Sequence, residues 1–96
     1  MLILKSPVQF LWDKGNIDKN LIKHKVSNKE CEEVFFDNKK KILKDKVHSG
    51  KEIRYLIIGI TKRKRILFIV FTIRLKKIRI ISARDLNKKE IKFYEK

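Results

Sequence analysis

The side chains able to do chemistry in this 96-residue chain are few in kind: arginine, lysine, histidine and tyrosine. All six arginines, Arg54, Arg63, Arg65, Arg74, Arg79 and Arg84, lie in the second half. A guanidinium grips phosphate through a planar two-point fork, whereas lysine is a point charge. His48, in the loop sequence His48-Ser49-Gly50, has an ordinary pKa near ~6.5 and suits proton transfer; the plainer reading is an exposed loop histidine. Tyr94 is either a core ring or a phenol facing a cleft. These groups can support RNA cleavage without metal. The ribose 2′-OH attacks the adjacent phosphate, and the protein supplies a base, an acid and cations around the phosphorane. Positioning and electrostatics do most of that work.

Metal and cofactor chemistry finds no motif. Cys31 is the only cysteine, so neither an internal disulfide nor a CxxC zinc site is expected. His24 and His48 have no second ligand at metal spacing, and Gly15, Gly50 and Gly59 are too dispersed for a phosphate loop. With no disulfide framework and no export signal, the cytoplasm is the expected compartment. The longest apolar run, Ile66 to Ile73, spans eight residues, whereas a membrane helix needs about 20.

The charge is large and uneven. Lys plus Arg number 26 against 11 acidic groups, a net of +15. Residues 1–50 carry 11 basic and 7 acidic groups (+4), and residues 51–96 carry 15 and 4 (+11). A hydrophobic share of 43% is too high for a disordered basic tail. One folded domain over 1–96, with a polyanionic partner, is the expectation. The bland reading, that lysine keeps a small apolar protein soluble, covers most of the lysines.

The elements that must position these groups read as helices, then strands, then a last helix. Asp13 is a candidate N-cap for a helix over 14–25, with Ile17, Leu21 and His24 on one face. Ser27 and Glu30 form a capping box for a helix over 28–36, whose stripe is Cys31, Val34 and Phe35. Strands are expected over 53–60, 66–75 and 77–83, with a weaker one over 40–46. The middle run is apolar on both faces and should be the central strand. Asn87 and Glu90 punctuate the last helix, Leu86 can staple against Ile91, and Ile91 and Tyr94 share a face. Trp12 fits packing against the first helix better than stacking on a base.

The fold class is therefore α+β: two N-terminal helices packed on a small antiparallel sheet of three to four strands, closed by a C-terminal helix. The basic turns and their flanks, Lys62, Arg63, Lys64, Arg65, Arg74, Lys76 and Lys77, are the candidate nucleic-acid contacts. Arg79 and Arg84 differ in parity, so strict alternation puts them on opposite faces. They can share a site only if the strand ends or bulges near Ser82.

Phe10-Leu11-Trp12-Asp13, Asn20, Lys23-His24, Val26 and Glu33-Val34-Phe35 resemble the opening of BrnT-type toxins of type II toxin–antitoxin systems. His48-Ser49, Glu52, Arg54-Tyr55, Ile58-Gly59, Thr72-Ile73-Arg74, the run Ile78 to Arg84, Glu90 and Tyr94-Glu95 follow in the same order. The resemblance runs from Phe10 to Glu95. It implies a RelE-like ribonuclease fold and RNA cleavage that inhibits translation. It also implies a co-encoded ribbon-helix-helix antitoxin of the BrnA kind, a hetero-oligomer containing a toxin pair, and operator DNA bound through the antitoxin. RNA, free or on the ribosome, would be the substrate. By position, Arg54, Arg79 and Arg84 would be the phosphate-contacting, catalytic cations, with His48 and Tyr94 in proton transfer or positioning. The sequence departs from the family pattern at Asn16, Asn28 and Phe71, and at Lys25, where the usual glycine would make a left-handed cap. The rival readings are a non-catalytic RNA- or ribosome-binding module, or an inactive toxin homologue acting only in an operon-repressor complex. A neighbouring reading frame for an acidic ribbon-helix-helix protein would favour either toxin-derived reading over the general module.

Overall fold

The structure is a computed structural model that describes residues 8–47 and 50–95; His48 lies outside the described residues. Four strands form one antiparallel meander, β1 (Lys41–Asp45), β2 (Arg54–Ile60), β3 (Ile66–Arg74) and β4 (Lys77–Asp85), in the order β1-β2-β3-β4. The helices are α1 (Lys19–His24), α2 (Asn28–Val34) and α3 (Lys88–Glu95), so the α+β expectation holds, including the weaker strand as β1. β3 lies inside the sheet, as its two-sided apolar run requires.

The inner sheet face carries the core. Ile57, Leu67, Ile69, Phe71, Ile78, Ile80 and Ala83 pack against Val26, Cys31, Val34 and Phe35 from the helical layer. Phe35 meets Phe71 edge-on at 5.0 Å and Phe10 at 5.3 Å, and Tyr55 stacks on Phe71 at 5.4 Å. Burial pushes the Cys31 thiol up to about 12, which makes it an inert core group. Trp12 packs against the core and donates Nε1–H to Glu32 of α2 at 2.7 Å, so its bond is to the second helix, not the first.

α1 departs most from expectation. It covers six residues, because Asp18 takes the left-handed conformation (φ 58°) and interrupts the helix. Asp13 caps only the preceding turn, accepting from the Gly15 amide. Ile17 and Leu21 are exposed, whereas Asn16 and Asn20 are buried. The reason is the open edge of β4, whose backbone groups need partners. Residues 9–11 pair with Ile78 there, Asn16 donates to the Ile80 carbonyl, and Asn20 accepts from the Ala83 amide. Polar side chains that finish a strand edge displace the apolar face. Lys25 also differs from expectation: it adopts the left-handed cap itself (φ 57°), its N–H bonding to Asn20 and Leu21 carbonyls.

The other caps form as read. Ser27 Oγ accepts from Glu30 N at 3.1 Å, and Glu30 accepts in return from Ser27 N. Asn87 and Glu90 make the same exchange at 2.9 and 3.0 Å. Tyr94 donates its hydroxyl to Asp37 at 2.6 Å and ties α3 to the segment after α2.

Candidate nucleic-acid interface

One irregularity decides how the arginines are arranged. Val70 pairs with Ser82 but Phe71 pairs with Ile80, so Ile81 is an extra residue in β4. Such a bulge reverses the alternation beyond it. Before it Ile78 and Ile80 point into the core, and after it Ala83 does. Arg79 and Arg84 therefore share the outer face, despite their parity. Arg54 and Arg74 join them, because they alternate with the inward Tyr55 and Phe71 positions of their strands.

Three of these arginines hold a carboxylate in two-point geometry. Arg74 donates from Nε and Nη2 to the two Glu52 oxygens, each at 2.6 Å. Arg79 donates to Asp13 at 3.0 and 3.4 Å, and Arg84 to Glu90 at 2.8 and 2.9 Å. The Arg84 guanidinium also covers the Phe68 ring at 4.3 Å. Arg54 stands opposite Asp45 in the β1–β2 register.

The pairs at one end form a cluster. The Arg74 hydrogen bond holds the Glu52 carboxyl below its ordinary range, and Arg79 and Arg54 add to it. Arg79 likewise lowers Asp13, helped by the Gly15 amide and Arg74. Arg84 lowers Glu90 at the other end. There α3 closes over the outer face, with the Lys41 ammonium 4.8 Å from the Phe93 ring centre. Leu43, Leu56, Ile58, Phe68 and Phe93 line a shallow groove of about 250 Å³ between them.

The remaining candidates separate. Lys62, Arg63 and Lys64 sit exposed on the β2–β3 turn, and Lys76 on the β3–β4 turn with Lys77 beside it. These turns lie at opposite ends of nine-residue β3, roughly 30 Å apart. Arg65 faces inward instead. It bonds both Asp85 oxygens, the His24 and Lys25 carbonyls and Glu30, joining α1, α2 and β4. Tyr94 is half-buried; burial, with the Asp37 bond, pushes its phenol up to about 12. Asp13, Glu52 and Phe68 are the site neighbours that sequence reading missed, since nothing local announces a carboxylate's distant partner. Among the described residues no group of three or more His, Cys, Asp or Glu could hold a metal ion, and no helix is long and apolar enough to cross a membrane.

Fold and site define a small basic α+β domain with an arginine-lined outer sheet face. Residues 12–90 match the family described as the ribonuclease toxin, BrnT, of type II toxin-antitoxin systems, and the chain belongs to that family. Its activity is thus that of a ribonuclease toxin, and its partner is a cognate antitoxin. No curated protein matches the chain.

Proposed function

We propose that the chain is a single cytoplasmic toxin domain over residues 1–96, an endoribonuclease with a RelE-like fold that cleaves RNA without metal and thereby inhibits translation. The observation that carries this reading is the common outer face of Arg54, Arg74 and Arg79, to which the Ile81 bulge brings Arg84. Arg54 and Arg79 act as the cations around the transferring phosphate, where fixed donors stabilise developing charge; Arg84, opposite Phe68 at the other end of the face, holds the strand through a further phosphate. Arg74 and the exposed turn residues Lys62, Arg63, Lys64, Lys76 and Lys77 attract the RNA strand. Arg65 fits a structural clasp better than an RNA contact, because its fork is filled within the fold. His48 is the proton-transfer candidate. Tyr94 suits positioning, since its hydroxyl holds α3, which carries the Arg84 partner Glu90. The antitoxin is an acidic ribbon-helix-helix protein that neutralises a pair of these toxins and carries the complex to operator DNA.

Expression of the chain alone should arrest growth, and an Arg79→Ala, Arg84→Ala double variant should not. Purified protein should cleave RNA in the presence of a chelator and leave 2′,3′-cyclic phosphate ends. Undiminished toxicity in a folded double variant would remove the site assignment, and intact transcripts during arrest would remove translation inhibition by RNA cleavage.

A further inference from the structure

The outer-face arginines are occupied before any RNA arrives. A guanidinium fork binds carboxylate and phosphate through the same pair of N–H donors, so one fork cannot hold both. Glu52 fills the Arg74 fork with both oxygens at 2.6 Å. Asp13 fills the Arg79 fork more loosely, at 3.0 and 3.4 Å. The two forks are neighbours: Arg79 lies opposite Thr72, two residues from Arg74, a diagonal separation of about 7–8 Å. The two carboxylates come from different loops, Asp13 from the segment before α1 and Glu52 from the β1–β2 connection. The backbone beside each carboxylate has a further anchor. The Asp13 segment is held by Asn16, and Ile53, next to Glu52, accepts from Thr72 Oγ1 at 2.9 Å. The Arg74 and Glu52 side chains are 45% and 43% exposed, so water and salt screen the pair and it can open without disturbing the core.

We propose that Asp13 and Glu52 are built-in phosphate surrogates: RNA binds this face by displacing them from Arg79 and Arg74, so the two carboxylates limit its affinity. The inference rests on the RNA reading above. It gives both carboxylates a role in specificity, since only a ligand with two suitably spaced anionic groups displaces both. It also predicts that removing a negative charge improves binding, the opposite of what loss of a structural ion pair would do.

The test is binding of a 2′-O-methyl oligouridine, which has no 2′-OH to attack, over about 50–200 mM salt. Freeing one fork from a competing carboxylate gains at most the worth of one phosphate contact to a single strand, roughly fivefold in affinity at about 0.1 M salt. Glu52→Gln is expected to show that gain with the salt slope unchanged, because the same phosphates are contacted in both proteins. Asp13→Asn should shift the same way and keeps the test open if Glu52→Gln does not fold. Adding Arg74→Gln to Glu52→Gln should erase the gain. Unchanged or weaker binding by the folded single variants, with wild-type binding intact, overturns the surrogate role. Failure of the wild type and both variants to bind at low salt overturns the RNA reading itself.

Discussion

Replacing Asn16 by alanine should destabilise the fold by about 3 kcal/mol, a large effect for a residue in an irregular segment. Asn16 is 1% exposed. Its amide donates to the Leu11 carbonyl at 3.0 Å and the Ile80 carbonyl at 3.1 Å, and its oxygen accepts from the Asp13 amide at 2.8 Å. Each bond contributes about 1 kcal/mol net, and the buried Ile80 carbonyl left without a donor adds to the cost. For a domain this small, about 3 kcal/mol corresponds to roughly 12–24 °C in Tm. Urea and thermal unfolding followed by circular dichroism measure it, with Lys19→Ala as an exposed control expected within about 0.5 kcal/mol. Asn16→Asp sharpens the test. It keeps the acceptor for Asp13 but loses both amide donors and buries a charge, so it should be worse than alanine at neutral pH. It should regain stability on mild acidification as the carboxyl is neutralised, whereas the wild type loses stability there. An Asn16→Ala variant within about 1 kcal/mol of wild type would refute the assignment of the β4 edge to this side chain.

The pH dependence follows from the same contacts. Burial raises the Asp37 carboxyl, but the Tyr94 hydroxyl and the Lys39 and Ile60 amides outweigh it and the net shift is downward. Arg84 lowers Glu90 and Arg65 lowers Asp85. Their stabilisation is complete above the ordinary carboxyl range and lost as pH falls through the lowered values. Tyr94, raised from 10.0 to about 12, stabilises below pH 10 and loses that contribution between 10 and 12. Buried Cys31, raised from 9.0 to about 12, adds to the same alkaline limb. Urea midpoints across pH should show both limbs, and Tyr94→Phe should shrink the alkaline one without abolishing it. Backbone strain offers a gain: Lys25, Leu75 and Lys76 are left-handed at φ 57°, 52° and 64°. Lys25→Gly, and Asn-Gly in place of Leu75-Lys76, should each stabilise by about 1 kcal/mol in denaturation assays. The glycines should behave differently from each other. A Cβ at Gly59 would lie 2.8 Å from Val34 Cγ1 and 3.0 Å from its carbonyl oxygen, so Gly59→Ala should cost about 1–3 kcal/mol. A Cβ at Gly15 would meet Arg79 Nη2, the far end of a long side chain, at 2.6 Å, so Gly15→Ala should shift the guanidinium, change RNA affinity and cost less Tm than Gly59→Ala.

Much of the architecture is written locally. The Ser27–Glu30 and Asn87–Glu90 boxes, the β-branched runs and the all-round apolar pattern of β3 need no distant partner to act, and each forms where the residues indicate. The surplus positive charge and its concentration in the sheet half are likewise properties of the chain alone. Periodicity misled at α1, because it weighs apolar burial and not the demands of an unpaired strand edge. Asn16 and Asn20 satisfy that edge and turn Ile17 and Leu21 outward. The site depended still more on tertiary structure. One extra residue at Ile81 moves Arg84 to the face of Arg79, and nothing in the local sequence marks a bulge there. Which arginine faces outward, and which carboxylate holds it, is settled between residues 66 apart for Asp13 and Arg79 and 22 apart for Glu52 and Arg74. The sequence by itself determined the types of charge and the elements that carry them. Only the packed sheet, through its register and edges, decided which charges meet.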